Sequence, residues 1–260
     1  MPQRPVDVEI RQSIKDIFLS KNEYRIVDDY VIQDGKRHPV AFLVPGGGYY
    51  MVSSFIEGTP IAKRLNEMGI SVIIVYYRVK KKARYPAPLE DLARAIRDAF
   101  DRADEYMLDT GCYSVWGASA GGHLTAAFGT KNMGYQNFNL PKPGALILSY
   151  PVISMVPALT HKQSHDFFLG KNASAEQEAF ASVDQHVDAD YPATYIWCSD
   201  DDSVVDPKNS QKMTDALQLA GVPMKSVVYH GVQHGAGPAT GTTAEGWIGN
   251  AVAFWKQQIK

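Results

Sequence analysis

The chain has very little of what disulfide-bonded, metal-binding and membrane proteins need. Only two cysteines, Cys112 and Cys198, occur in 260 residues. Each lies beside a predicted strand without metal-type spacing, so we expect two buried free thiols. No apolar run approaches the length that crosses a membrane, and the first residues contain no apolar stretch of a secretory signal. These absences predict a cytoplasmic protein.

An excess of charge of either sign is also missing. The 26 Lys and Arg residues nearly balance the 28 Asp and Glu residues, for a net charge of −2. Without a basic excess, nucleic acid and anionic membranes are poor candidate partners. Internal repeats and low-complexity segments are absent as well. We therefore expect a single domain over residues 1–260, large enough to bury a substantial core.

Apolar segments instead alternate with amphipathic ones along the chain. Strands are predicted over residues 25–33, 40–44, 71–77, 113–116, 145–150, 193–198 and 225–229, and helices over residues 10–18, 61–68, 88–105, 207–220 and 246–258. Strands that are apolar throughout and alternate with helices predict a mainly parallel sheet covered on both faces. Such sheets bind ligands at the carboxyl ends of their strands.

Residues 151–191 show little strand pattern, and we predict that they form a small cap or rim insertion over the site. Within this segment, Phe167 and Phe168 are candidates for an acyl pocket. Ordinary packing of these two rings is an equal alternative.

The most informative stretch is residues 117–122, with the sequence Gly-Ala-Ser-Ala-Gly-Gly. A serine with glycines two positions away on either side is typical of a sharp turn from a strand into a helix, because glycine has no Cβ to collide with the neighbouring backbone. The turn would expose the hydroxyl of Ser119 at the edge of the sheet and direct the N–H of Ala120 toward the same space. We therefore predict that Ser119 is a nucleophile.

A second glycine-rich loop, residues 45–50 with the sequence Pro-Gly-Gly-Gly-Tyr-Tyr, directly follows a predicted strand. It is not a phosphate loop, because no Gly-Lys-Ser/Thr follows it. When a serine attacks a carbonyl group, the oxyanion that forms needs two or three N–H donors. We expect the amides of Gly47, Gly48 and Ala120 to supply them, and a merely tight loop is the alternative.

A serine hydroxyl also needs a base that takes its proton and an acid that orients the base. Aspartates occupy positions 200–202 after one predicted strand, and two histidines follow the next one. This is the chain order serine, aspartate, histidine. We favour Asp202, because it lies nearest to an apolar pair that would anchor the loop, with Asp201 as a competitor. We favour His234, because its loop is rich in glycine, and we expect His230 to form local hydrogen bonds.

Further motifs, taken together, resemble the α/β-hydrolase fold and, within it, bacterial esterases related to acetylxylan and feruloyl esterases, near the hormone-sensitive-lipase-like group. The motifs are PGGGY at 45–49, EG at 57–58, PIA at 60–62, YYRV at 76–79, YPAPL at 85–89, GASAGGH at 117–123, and residues 202–210 and 231–235. The resemblance extends from about residue 25 over nearly the whole remaining chain.

The resemblance implies hydrolysis of carboxylic esters by a triad of Ser119, Asp202 and His234, with the second and third glycines of the PGGGY loop donating to the oxyanion. It also implies a buried structural ion pair between Arg78 and Asp91. Two positions depart from the pattern. Pro45 stands where the lipase-like group has histidine, and Asp206 stands where many relatives have proline, which leaves the triad intact but changes the setting of the acid loop.

These features predict a serine esterase that needs no metal or organic cofactor. Its substrate would be a small ester with a short acyl group, acetyl to butyryl, on a soluble alcohol or sugar, because the modest insertion offers no long apolar lid. Two alternatives stay open, an amidase or peptidase on the same fold and a binding protein that has lost catalysis. The natural substrate is left open, and so is a homo-oligomer, for which the segment before residue 25 would supply a contact.

Overall fold

Seven strands form one sheet in this computed structural model, which describes residues 26–259. The predicted helix over residues 10–18 lies outside the described residues. The strands are β1 (Ile26–Tyr30), β2 (His38–Val44), β3 (Ser71–Tyr76), β4 (Leu108–Ala118), β5 (Ala145–Ser149), β6 (Thr194–Ser199) and β7 (Met224–Tyr229). Their order is β1-β3-β2-β4-β5-β6-β7. Only the pairing of β1 with β3 is antiparallel, so the sheet is mainly parallel, as the sequence predicted.

Seven α-helices within residues 26–259 accompany the sheet. They are α1 (Thr59–Glu67), α2 (Ala87–Asp101), α3 (Ser119–Phe128), α4 (Lys162–Phe168), α5 (Ala175–Ala181), α6 (Lys208–Leu219) and α7 (Trp247–Lys256). Successive side chains of a strand point to opposite faces, so a strand buried on both faces must be apolar at every position. Strand β2 shows this directly. Phe42 packs in the core beneath α2, α3 and α6, while Leu43 packs in the core beneath α1 and α7.

Most predicted boundaries of strands agree with the structure to within one or two residues, but β4 begins at Leu108, five residues before its predicted start at residue 113. Two other differences have a physical cause. The predicted strand over residues 25–33 ends at Tyr30, where its pairing with β3 stops. Strand β7 is not buried throughout but consists of exposed and half-buried positions, because it lies at the edge of the sheet and is covered less completely.

The carboxyl ends of the parallel strands bring distant segments of the chain together. Strand β2 leads into residues 45–50, β4 into Ser119, β6 into residues 200–202 and β7 into residues 230–234. The segment of residues 151–191, predicted as an insertion, lies between β5 and β6 and contains the short helices α4 and α5. All the predicted site residues therefore follow strand ends on the same edge of the sheet.

Candidate active site

The turn at Ser119 is as sharp as its sequence predicts. Ser119 has a φ of +54°, a left-handed conformation that residues other than glycine rarely adopt, and it stands where β4 passes directly into α3. A Cβ on Gly117 would lie 2.2 Å from the carbonyl oxygen of Gly121. A Cβ on Gly121 would lie 2.0 Å from the carbonyl oxygen of Val44. Both flanking glycines are therefore required by close backbone approach.

His234 connects Ser119 to Asp202 through its two ring nitrogens. Nε2 lies 2.8 Å from Ser119 Oγ, and Nδ1 lies 2.6 Å from Asp202 Oδ2. The other carboxylate oxygen of Asp202 accepts hydrogen bonds from the backbone N–H groups of Val204 and Val205, at 2.8 and 3.0 Å. Burial would raise the pKa of Asp202, but these hydrogen bonds outweigh it and hold the pKa below its ordinary value. The carboxylate is thus buried, ionised and fixed in orientation.

The aspartate that the sequence left as a competitor has different partners. Asp201 accepts a hydrogen bond from the Ser199 hydroxyl at 2.6 Å and another from the Gly231 N–H at 3.1 Å. His230 lies 2.9 Å from Asp200, in an exposed pair. Asp200, Asp201 and His230 bring ligand atoms within 4.8 Å of one another, but all three are exposed, and exposed acidic groups often gather in this way. Of the three aspartates, Asp202 is the one that contacts His234.

The glycine-rich loop passes directly against the serine. A Cβ on Gly46 would lie 2.8 Å from the Cβ of Ser119. Gly47 and Gly48 have φ values of +118° and +64°, and the Gly47 carbonyl accepts hydrogen bonds from two later amides of the same loop. Among residues 26–259, no acceptor is hydrogen-bonded to the N–H groups of Gly47 and Gly48. The N–H of Ala120 belongs to the first turn of α3, where helix geometry leaves amides without an internal partner.

A buried carboxylate that the sequence did not single out for a role lies beneath this loop. Glu57 is in a short π-helix, residues Ser54–Gly58, and it is 5% exposed. It accepts hydrogen bonds from the Gly46 N–H at 2.7 Å and from the Tyr150 hydroxyl at 2.9 Å. The Tyr150 ring lies 4.8 Å from the ring of His234, centroid to centroid. Burial raises the pKa of Glu57, while these hydrogen bonds oppose the rise.

A second buried group supports the loop from its other side. The Tyr49 hydroxyl donates to His123 Nδ1 at 2.8 Å, and His123 Nε2 donates to the Ala181 carbonyl at 2.9 Å. Burial lowers the pKa of His123 to about 4, so the ring is neutral. Phe168 packs against both rings, at 5.1 Å from Tyr49 and 5.0 Å from His123. Phe168 is fully buried and serves this packing, whereas Phe167 stays partly exposed.

Other expectations from the sequence are met in part. Both cysteines are free thiols, but only Cys198 is buried, and the expectation that Cys112 is buried is wrong, because it lies partly exposed in β4. Arg78 pairs with Asp91 at 2.9 Å, yet the pair is partly exposed, with 35% of the Arg78 side chain accessible.

The two positions that depart from the family pattern make local hydrogen bonds. The carbonyl of Pro45 accepts the Tyr77 hydroxyl at 2.8 Å, and Asp206 accepts the N–H of Lys208 at the start of α6.

Comparison with known proteins identifies the family of the chain. The model of the BD-FAE family matches residues 28–217, nearly three quarters of the chain. The chain belongs to the BD-FAE family. The matched span includes Ser119 and Asp202 and ends before His234. The resemblance to acetylxylan and feruloyl esterases that the motifs carried is thereby confirmed.

Two curated relatives of this BD-FAE chain are similar over most of its length. The acetylxylan esterase of Xylanibacter ruminicola is 32% identical over 224 residues, which cover 80% of this chain and 45% of that protein. Endo-1,4-beta-xylanase B of Butyrivibrio fibrisolvens is 30% identical over 230 residues, which cover 85% of this chain and 36% of that protein. The chain spans less than half the length of either relative.

The fold is shared with solved structures. An acetyl ester-xyloside bifunctional hydrolase from Caldicellulosiruptor lactoaceticus superposes with a TM-score of 0.82 at 28% identity and covers 95% of this chain and 94% of that one. The predicted α/β-hydrolase fold is thereby confirmed. The predicted class of enzyme, a carboxylic ester hydrolase, agrees with the names of the esterase relatives.

Proposed function

We propose that this chain is a serine carboxylesterase that hydrolyses short acyl esters through a covalent acyl-enzyme. The observation that carries the proposal is the pair of hydrogen bonds that one imidazole makes, with the Ser119 hydroxyl at Nε2 and with the Asp202 carboxylate at Nδ1. An ionised carboxylate can only accept, so the proton of the neutral ring resides on Nδ1. Nε2 of His234 then has a free lone pair directed at the serine hydroxyl, which is what a general base requires.

In the proposed reaction, Ser119 Oγ attacks the ester carbonyl carbon while His234 Nε2 takes the hydroxyl proton. Asp202 stabilises the imidazolium that results. The tetrahedral intermediate collapses as His234 gives the proton to the leaving alcohol oxygen, and the acyl group stays on Ser119. A water molecule then attacks the acyl carbon while the same nitrogen takes its proton. The second tetrahedral intermediate collapses as His234 returns this proton to Ser119 Oγ, which releases the carboxylic acid and restores the serine.

The amides of Gly47, Gly48 and Ala120 are proposed to receive the oxyanion. The first two have no competing acceptor among residues 26–259, and the third lies at the positive end of α3. Preorganised donors of this kind contribute about 3 to 4 kcal/mol each, judged by the effect of deleting one.

A short acyl group on a sugar or a related soluble alcohol is the proposed substrate. The names of the acetylxylan esterase and of the acetyl ester-xyloside hydrolase support an acetyl group on a saccharide. The surroundings of the loop agree with a small polar substrate, because Gln163 and His161 approach Gly48 where a long acyl chain would need an apolar wall. Among the described residues, no helix is long and apolar enough to span a membrane. The cytoplasmic location expected from the sequence stays a prediction.

The test is the Ser119→Ala variant assayed on p-nitrophenyl acetate. We expect its kcat to fall by at least about 10⁴ while thermal unfolding stays close to that of the wild type. Ser226→Ala, in an exposed position of the edge strand β7, is the matched control and should keep full activity. Retained turnover in Ser119→Ala would remove the proposed nucleophile.

The same assay separates the two alternatives from the esterase. Cleavage of the matching p-nitroanilide at a rate similar to that of the ester would indicate an amidase. A wild-type protein that neither turns over the ester nor reacts with a fluorophosphonate probe would be a binding protein on a hydrolase scaffold.

A further inference from the structure

A cavity of about 1000 Å³, here called the basic cavity, opens beside the glycine-rich loop. Its walls come mainly from residues 80–84 and 161–172. Two of its lining residues, His161 and Gln163, also approach Gly48, and a Cβ on Gly48 would lie 2.4 Å from Gln163 Oε1. Burial lowers the pKa of His161. The basic cavity therefore lies next to the proposed oxyanion site, on the side of Gly48.

Positive charge dominates the wall of the basic cavity, although the whole chain is slightly acidic. The cationic lining residues are Lys80, Lys81, Arg84, Lys162 and Lys171. The lining includes one carboxylate, Asp166, and it is already paired with Lys162 at 2.7 Å. Among residues 26–259, no carboxylate forms an ion pair with Lys80, Lys81 or Lys171. Like charges gathered without counter-charges repel one another, and a bound anion relieves that repulsion.

An aromatic surface lies beside these cations. The Tyr50 and Phe167 rings are 5.8 Å apart, and Lys80 Nζ lies 4.8 Å from the centre of the Tyr50 ring. Tyr50 is 45% exposed, so part of this side chain is accessible to a ligand. A sugar ring can place its apolar C–H face on such a surface while a charged substituent reaches the lysines. Apolar contact with a few convergent charges is the usual design of a specific ligand site.

We propose that the basic cavity is a substrate subsite for an anionic group, and that the preferred ester is an acetylated saccharide that carries a carboxylate on the acetylated sugar ring. This inference rests on the proposed esterase function and adds its substrate class. The ester carbonyl would lie at Ser119, and the carboxylate would lie between the two lysine-bearing segments. A phosphorylated sugar shares the anionic chemistry, so the experiment includes it.

The experiment compares three methyl glycosides, each acetylated at the same hydroxyl: a neutral glucoside, its 6-carboxylate and its 6-phosphate. We expect kcat/KM at low ionic strength to be about tenfold higher for the carboxylate than for the neutral sugar, because two or three exposed ion pairs contribute modestly each. The preference should shrink in 0.5 M NaCl, where such pairs are screened.

Charge reversal shows whether the lysines of the basic cavity cause the preference. The Lys81→Glu/Lys171→Glu double variant should lower the ratio of carboxylate to neutral kcat/KM by about tenfold. The Lys63→Glu/Lys256→Glu control changes the net charge equally but alters exposed residues of α1 and α7, which cover the opposite face of the sheet, and it should keep the wild-type ratio.

Each adverse outcome has a distinct meaning. Equal kcat/KM for the carboxylate and the neutral sugar, or equal shifts in both double variants, would overturn the subsite. A 6-phosphate hydrolysed about tenfold faster than the 6-carboxylate would overturn the assignment to sugar carboxylates. If the wild type does not hydrolyse p-nitrophenyl acetate at all, the proposed esterase function is refuted instead.

Discussion

Replacing Asp202 with asparagine should prevent His234 from acting as a base, because it changes which ring nitrogen carries the proton. The size and shape of the side chain at position 202 hardly change. One carboxylate oxygen of Asp202 accepts two backbone N–H groups, so the asparagine oxygen must take that position, since an NH₂ group cannot face two donors. The NH₂ group then faces His234 Nδ1, which lies 2.6 Å from the other carboxylate oxygen in the wild type. Nδ1 must accept, so the ring proton moves to Nε2 and points at Ser119. A nitrogen that carries a proton cannot take one from the serine.

The expected loss is about 10⁴ in kcat, the value typical of this change in triads with the same roles, which corresponds to about 5 kcal/mol of transition-state stabilisation. Initial rates on p-nitrophenyl acetate measure it. Asp201→Asn is the matched control, because the two side chains are adjacent and only Asp202 contacts the imidazole. We expect the control to keep kcat within about threefold, as for a substitution near the surface.

A loss of less than tenfold in Asp202→Asn would refute the proposed role of this carboxylate. An equal loss in Asp201→Asn would refute the choice between the two aspartates. Both variants should unfold at similar temperatures, so that a loss of activity is not a loss of folded protein.

Two further predictions concern stability. His123, with its pKa lowered to about 4, binds fewer protons in the folded chain than in the unfolded chain between pH 4 and 6.5, so the free energy of unfolding should fall by up to about 3 kcal/mol as the pH is lowered through that window. Urea unfolding midpoints should depend less steeply on pH in His123→Gln, and an unchanged slope would contradict the assignment. Gly117→Ala should lower the free energy of unfolding by more than about 2 kcal/mol, because its Cβ would meet a backbone oxygen at 2.2 Å, whereas Gly249→Ala, in open space inside α7, should raise it by about 0.5 to 1 kcal/mol. Thermal unfolding of the two alanine variants measures both changes, and the reverse order would show that the turn tolerates a side chain.

Features that local chemistry determines could be predicted from the sequence. The turn at Ser119 depends on glycines two residues away, and the apolar strands depend on burial on both faces, so both leave a pattern in the chain itself. The choice of Asp202 rested on the apolar pair that follows it. Val205 is indeed buried, but Val204 is 48% exposed, and the backbone amides of both residues, rather than both side chains, fix the carboxylate.

Features that need contacts between distant segments could not be predicted in the same way. The basic cavity joins residues 80–84 to residues 161–172, and neither segment alone shows that its cations face the other. The burial of Glu57 was equally hidden, because it sits beside an exposed Ile56 and its partners are 11 and 93 residues away. A π-helix at this point turns the carboxylate inward, and such irregular turns often occur at functional sites.

Glu57 also explains how loops from three different strands keep one alignment. Its two oxygens hold the amide of Gly46, in the loop after β2, and the hydroxyl of Tyr150, which follows β5. The same hydroxyl accepts the N–H of Gly237, three residues beyond His234, and the tyrosine ring packs against the imidazole. Both partners are buried, and leaving either donor unpaired in that setting would be costly. The position of the proposed oxyanion loop and that of the proposed base are therefore coupled through one buried carboxylate.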